Sequence, residues 1–115
     1  MKDDQCLFCR IVNGAEPSQK VWEDDNFLCI KNKFPVAPVH VLVMPKAHIV
    51  KSEVATSQEG EFWGRIMGAV FSVVRELGLD KKGYKIVNNG AGYNHFEHEH
   101  LHILGGTKSE PGGQT

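Results

Sequence analysis

Residues 94–106, NHFEHEHLHILGG, hold four of the six histidines of this 115-residue chain. Three of them, His98, His100 and His102, fall on every second position. In an extended strand alternate side chains project to the same face, so these three imidazoles share one side. Their spacing along the strand is about 6.6–7 Å, from a rise of roughly 3.3–3.4 Å per residue. That is close enough to act together on one small anion or to divide into two adjacent sites. The opposite face carries Glu97, Glu99, Leu101 and Ile103, acidic in its first half and apolar in its second. Three chemistries compete for such a row. It is a solvated strand face, or part of a three-histidine metal site, or a phosphate-handling row.

The third reading makes the most specific use of the residues. A neutral imidazole attacks activated phosphorus and leaves again readily. A second histidine can donate hydrogen bonds to the phosphoryl oxygens, and a protonated neighbour keeps the nucleophile unprotonated near neutral pH. Electrostatic support of the transferring group is the larger part of the task. A second chemical signal is Cys6-x-x-Cys9, a knuckle spacing. A thioredoxin-like role would need a preceding strand in a βαβ context, which is missing, and a structural zinc needs two more ligands. Cys29 lies within a strand pattern and reads as core.

The elements that must hold these residues are legible in outline. Residues 6–13 suggest a short helix ended by Gly14. Residues 20–24, 26–31, 39–44, 83–88 and 97–104 read as strands, and Pro35 and Pro38 make NKFPVAP an ordered loop. Thr56-Ser-Gln-Glu59 has the form of a capping box. Phe62, Ile66, Val70, Val73 and Leu77 then recur at helical period, with Trp63, Met67, Phe71 and Val74 as an adjoining stripe, up to Gly78. A face that wide suggests contact with a second subunit as well as with the sheet. The expectation is one α+β domain over residues 1–115, with a five-stranded antiparallel sheet, one main helix, a short N-terminal helix and a mobile tail from about 107.

Composition narrows the function classes. With 41% apolar and 23% charged residues the chain is ordinary globular protein. Its net charge of −1 gives no basic excess for nucleic acid or an anionic membrane surface. No apolar run approaches the roughly 18 residues needed to span a bilayer. The opening MKDDQCLFCR lacks a secretory pattern, and three cysteines do not make a disulfide framework, so a reducing cytoplasm is expected.

HEHLHILGG resembles the signature of the histidine triad (HIT) family. NKFPVAPVHVLVMPKAHI, CLFCRIVNGAEPSQKVWEDD and VNNG resemble, in order, segments of its nucleoside-phosphoramidase (Hint) branch, so the likeness runs over about residues 5–106. The resemblance implies that His100 attacks the α-phosphate and carries a nucleotidyl intermediate. It implies that His102 contacts the phosphate oxygens and that His98 arranges the nucleophile or binds zinc. Asn32 takes the place of a ribose-binding Asp or Asn, and Asn88 that of an asparagine near the phosphate and leaving group. Phe8, Ile11 and Phe27 line a purine pocket or the core. Zinc-bearing relatives, and the related galactose-1-phosphate uridylyltransferases, imply a structural zinc on Cys6, Cys9, His48 and His98, with no organic cofactor. A homodimer acting on AMP conjugates is the family's habit.

Three departures stand out. Glu99 replaces an apolar residue and, if buried, needs a Lys or Arg partner. His95 sits where relatives carry Ser, Thr or Glu near the phosphate, and either adds a cation to the pocket or lies in water. The tail lacks the aromatic residue of its relatives. His40, in VHVLVM, reads as structural. The competing function is a nucleotide- or zinc-binding interaction protein with little catalysis.

Overall fold

The computed structural model describes residues 5–56, 60–90 and 96–106. It is an α+β arrangement. Helix α1 (Leu7–Val12) precedes strands β1 (Lys20–Glu23), β2 (Phe27–Lys31) and β3 (Val39–Pro45). Helices α2 (Lys51–Thr56), α3 (Gly60–Glu76) and α4 (Leu79–Lys82) follow, then β4 (Tyr84–Val87) and β5 (Leu101–Gly105). The five strands form one antiparallel sheet in the order β1-β2-β3-β5-β4.

Strand alternation sorts the two faces. Phe27, Cys29, Val41, Val43, Leu101 and Ile103 point to one side and pack with Phe62, Ile66, Val70 and Val73 of α3. Leu28, Ile30, Leu42 and Met44 point to the other and pack with Phe8 and Ile11 of α1. Because both faces are covered, β2 and β3 are apolar at nearly every position instead of alternating. Cys29 is fully buried, and burial pushes its thiol up to about 12. It is core, as expected.

The last strand is shorter than the pattern 97–104 suggests. The ladder to β3 ends at Val43↔Leu101. The same register would set Glu99 opposite Pro45, which has no N–H to donate. The chain before Leu101 pairs instead with the segment leading into α2. Val50 and His98 form an isolated bridge, Glu99 N donates to Ile49 O (2.8 Å) and Lys51 N donates to Glu97 O (2.6 Å). His98 and His100 therefore leave the sheet proper, and only His102 stands in β5.

Helix α3 keeps its expected apolar stripe, but it starts at Gly60, and the six-residue α2 before it was not legible. The capping box at 56–59 falls largely outside the described residues, as do the tail from 107 and His95. In the second stripe Trp63 and Met67 are half-buried against the core while Phe71 stays 36% exposed. Gly78 ends α3 at φ +71°. Leu79 of α4 then drops against Gly105, where a Cβ would lie 2.9 Å from both Leu79 Cδ2 and Gly83 O. Only glycine lets β5 pass beneath this turn.

Candidate active site

Beneath α1, on the sheet face away from α3, lies a cavity of about 990 Å³. His100, His102 and His40 line one part of it, with Asn32 and Asn89 alongside. Phe8, Ile11, Leu7, Ile30 and Leu42 supply its apolar wall, and Phe96 packs on Phe8 with ring centroids 5.0 Å apart. The size and the mixture of apolar wall with convergent polar groups suit a small organic ligand.

The hydrogen bonds fix the imidazole protons. His100 Nδ1 lies 2.8 Å from His98 O. A carbonyl can only accept, so Nδ1 carries the proton and the lone pair sits on Nε2, the nitrogen away from the backbone. A chain of three groups fixes His102. The Val36 N–H donates to His40 Nδ1 (3.2 Å), so the His40 proton is on Nε2. That Nε2–H donates to His102 Nδ1 at 2.9 Å. His102 Nδ1 is thus the acceptor, and Nε2 holds its proton as a donor. The row presents an unprotonated nitrogen on His100 beside a donor on His102, whose ring centroid is 5.2 Å away. Burial holds His40 below the ordinary histidine value, which keeps this arrangement neutral.

Asn32 closes the cavity's edge. Its Oδ1 accepts the Phe34 N–H (2.9 Å), and its Nδ2 lies 3.2 Å from His40 Nε2, where two donors face each other and make no hydrogen bond.

His98 belongs to a different cluster. Its Nε2–H donates to Pro45 O at 2.8 Å, which aims Nδ1 at Cys6 Sγ (3.3 Å) and Cys9 Sγ (3.5 Å). His48 Nδ1 lies 3.1 Å from Cys9 Sγ, and the His48 and His98 rings meet edge to face. The four ligand atoms of Cys6, Cys9, His48 and His98 all lie within 4.8 Å of one another. A tetrahedral ion with metal–ligand bonds of about 2.0–2.3 Å needs ligand separations of about 3.3–3.8 Å; the Sγ–Nδ1 distances of 3.1, 3.3 and 3.5 Å are of that order, and the two-thiol, two-imidazole donor set suits zinc. The carbonyl behind His98 is the outer hydrogen bond that metal-binding histidines ordinarily make. Burial holds His98 below its usual value, against the opposing pull of the Pro45 hydrogen bond. The alternating row thus divides into two adjacent sites, with His98 in one and His100 and His102 in the other.

The remaining expected residues separate. Phe8 and Ile11 line the cavity, but Phe27 lies in the core under α3. Asn88 stands exposed just past β4, bonded to Lys51, and its neighbour Asn89 lines the cavity. Glu99 is 1% exposed and pairs with the ammonium of Lys51, meeting its need for a cation. His40, read as structural, lines the cavity and orients His102. Its position in β3, opposite Leu104 and next to Leu42↔His102, was the available signal.

The HIT domain model matches residues 13–109. The chain belongs to the HIT family. It is 41% identical over 102 residues to an uncharacterized HIT-like protein of Chlamydia muridarum, covering 87% of this chain and 80% of that one. A solved histidine triad protein from Clostridium difficile superposes with a TM-score of 0.83 at 38% identity, over 92% of this chain and 94% of that one. A HIT family hydrolase from Legionella pneumophila gives 0.81 at 35%, over 90% and 94%. The strand order and the histidine row described above are therefore those of a HIT domain. Among the described residues no helix is long and apolar enough to cross a membrane.

Proposed function

We propose that this HIT protein is a cytoplasmic hydrolase of purine nucleoside phosphoramidates or related nucleotide conjugates such as those of AMP. The observation that carries the reading is the tie from His100 Nδ1 to His98 O, which leaves a lone pair on Nε2 beside a donor on His102. The similarity to a protein named as a HIT family hydrolase supports it.

The reaction has two displacements. His100 Nε2 attacks phosphorus, the P–N bond to the amine breaks, and the amine departs with a proton taken from solvent. Charge developing on the phosphoryl oxygens is met by His102 Nε2–H. Water then attacks the same phosphorus and loses a proton, and the P–Nε2 bond breaks to release the nucleoside monophosphate. Phe8 and Ile11, in the apolar wall of the cavity, are proposed to receive the purine, and Asn32, lining the same cavity, to take the ribose hydroxyls. His95 is proposed as a further group near the phosphate.

Zinc on Cys6, Cys9, His48 and His98 would be structural. Two thiolates and two imidazoles would fill its coordination and leave no position for substrate. It would tie α1, and with it Phe8 and Ile11, to the segment carrying His98 and His100. The homodimer is proposed through α3 and the edge strand β4, where Phe71 and Tyr84 are 36% and 41% exposed and contact each other.

The test is release of AMP from adenosine phosphoramidate by purified protein, with His100→Ala inactive. No turnover on nucleotide amidates or dinucleoside polyphosphates, combined with AMP binding by calorimetry, would favour a binding protein instead. Glu99 lends that second reading no support, since its carboxylate is taken up by Lys51.

A further inference from the structure

Lys51 is a buried cation that the proposed reaction does not use. It opens α2 and is 4% exposed. Its ammonium donates to Glu99 Oε1 and to Asn88 Oδ1. Glu99 Oε1 also accepts the backbone N–H of His100 at 2.9 Å. The Lys51 backbone N–H donates to Glu97 O, and Val50 bridges His98. One residue thus joins three pieces of chain: the segment before β5 that carries the nucleophile, the start of α2, and the asparagine after β4. A buried ion pair is a costly way to stabilise a fold, because well-packed apolar residues serve about as well. What apolar residues cannot do is hold an amide oxygen and a backbone N–H in fixed places.

We propose that Lys51 is a positioning residue. Its ammonium, neutralised by Glu99, clamps Asn88 by its oxygen to the backbone of His100, so that the segment after β4, which sets Asn89 against the cavity, is held fixed relative to the nucleophile. Asn88 is exposed and would otherwise sample several rotamers. With Oδ1 held, the amide has one orientation. The same carboxylate that neutralises Lys51 holds the His100 N–H, so the nucleophile and the amide move as one unit. This inference rests on the hydrolase reading for its chemistry, but the clamp itself is a structural claim.

The decisive comparison is between Lys51→Met and the charge-neutral pair Lys51→Met with Glu99→Leu. The single variant leaves Glu99 buried without its cation, so its melting temperature falls; the double variant removes both charges and recovers it. Positioning requires that kcat stay low in both, by on the order of 10- to 100-fold for a group displaced by about 1 Å, with KM changed little. If the double variant regains wild-type kcat together with its melting temperature, Lys51 is only structural and the proposal falls. Should the single variant not fold, the double variant decides alone by the same criterion.

A readout free of turnover separates this from the hydrolase reading. In NMR spectra of the wild type, the Asn88 side-chain NH₂ should show the shifts of a single held rotamer, lost in Lys51→Met and in the double variant. Unchanged signals would overturn the clamp even in an active enzyme. A protein with no turnover but with these shifts lost would overturn only the hydrolase reading.

Discussion

His100 and His40 illustrate how a residue's chemistry is set by what holds its second nitrogen. For His100 that group is the His98 carbonyl, and the consequence for the proposed reaction is sharp: His100→Ala should lower turnover about 1,000-fold or more, because it removes the proposed nucleophile. The AMP-release assay measures it, and calorimetry should show AMP binding retained. For His40 the partner nitrogen belongs to His102, so the effect is indirect. His40→Phe should leave His102 free to take the wrong tautomer, lowering kcat by about 10-fold or more. His40 also gives stability a pH dependence. Burial keeps it neutral in the folded state at pH values where the unfolded chain, near the ordinary value of 6.5, already binds a proton. The unfolded state then binds more protons, so stability rises with pH. The contribution is complete above about 6.5 and is lost as pH falls through the folded value below it. Denaturant unfolding across that range should show the decline, reduced in His40→Phe; identical curves for the two proteins would contradict it.

At the scale of elements, the site depends on two close approaches. Gly105→Ala places a methyl group 2.9 Å from the backbone oxygen of Gly83 as well as against Leu79. Backbone cannot yield as a side chain tip can, so the change should destabilise the fold by about 1–3 kcal/mol, read from denaturant midpoints. The other approach is α1 on the segment before β5. Cys9→Ala should abolish bound zinc and lower the melting temperature, whereas His100→Ala should keep the metal; elemental analysis of the two variants decides between a structural ion and one held by the histidine row. These elements differ in how far the sequence revealed them. The five strands, α1 and most of α3 were legible because each carries its own periodicity and its own Gly or Pro stop. Helix α2 was not, since Lys51–Thr56 has neither an apolar period nor a clear cap. The alternation rule gave the right neighbours for His100 and His102. It left open whether the row divides into two adjacent sites, and the structure makes that division at His98, where the ladder ends opposite Pro45, which cannot donate. Contacts across the chain were out of reach of any local pattern. His40 meets His102 over 62 positions, and Lys51 meets Glu99 over 48. The need of Glu99 for a cation could be foreseen from its place among buried neighbours, though not which lysine would answer it.

For the whole molecule, the question is what covers the side of the sheet that ends in β4. A sheet closed on both faces still has edges, and an edge strand with open backbone groups invites pairing unless charge or covering chain prevents it. In the order β1-β2-β3-β5-β4 the two edges differ in character. Strand β1 ends in charged residues, Lys20 and Glu23, which pair with each other, and Glu23 pairs also with Lys46. Strand β4 begins with Tyr84, whose ring stacks edge-on against Phe71 of α3 at a centroid distance of 6.3 Å, both partly exposed. Apolar rings that straddle a helix and an edge strand form a continuous surface, and an isologous contact would bury it twice over. The dimer proposed through this surface therefore makes a specific demand. Phe71→Arg or Tyr84→Glu should each shift the solution mass measured by light scattering at micromolar concentration from two chains towards one, since each buries an unpaired charge at the contact. Neither residue lines the cavity, so AMP binding by a monomer produced in this way should persist unless the partner contributes to the pocket. A wild-type protein that is already a single chain would remove the dimer and leave the wide face of α3 without an occupant.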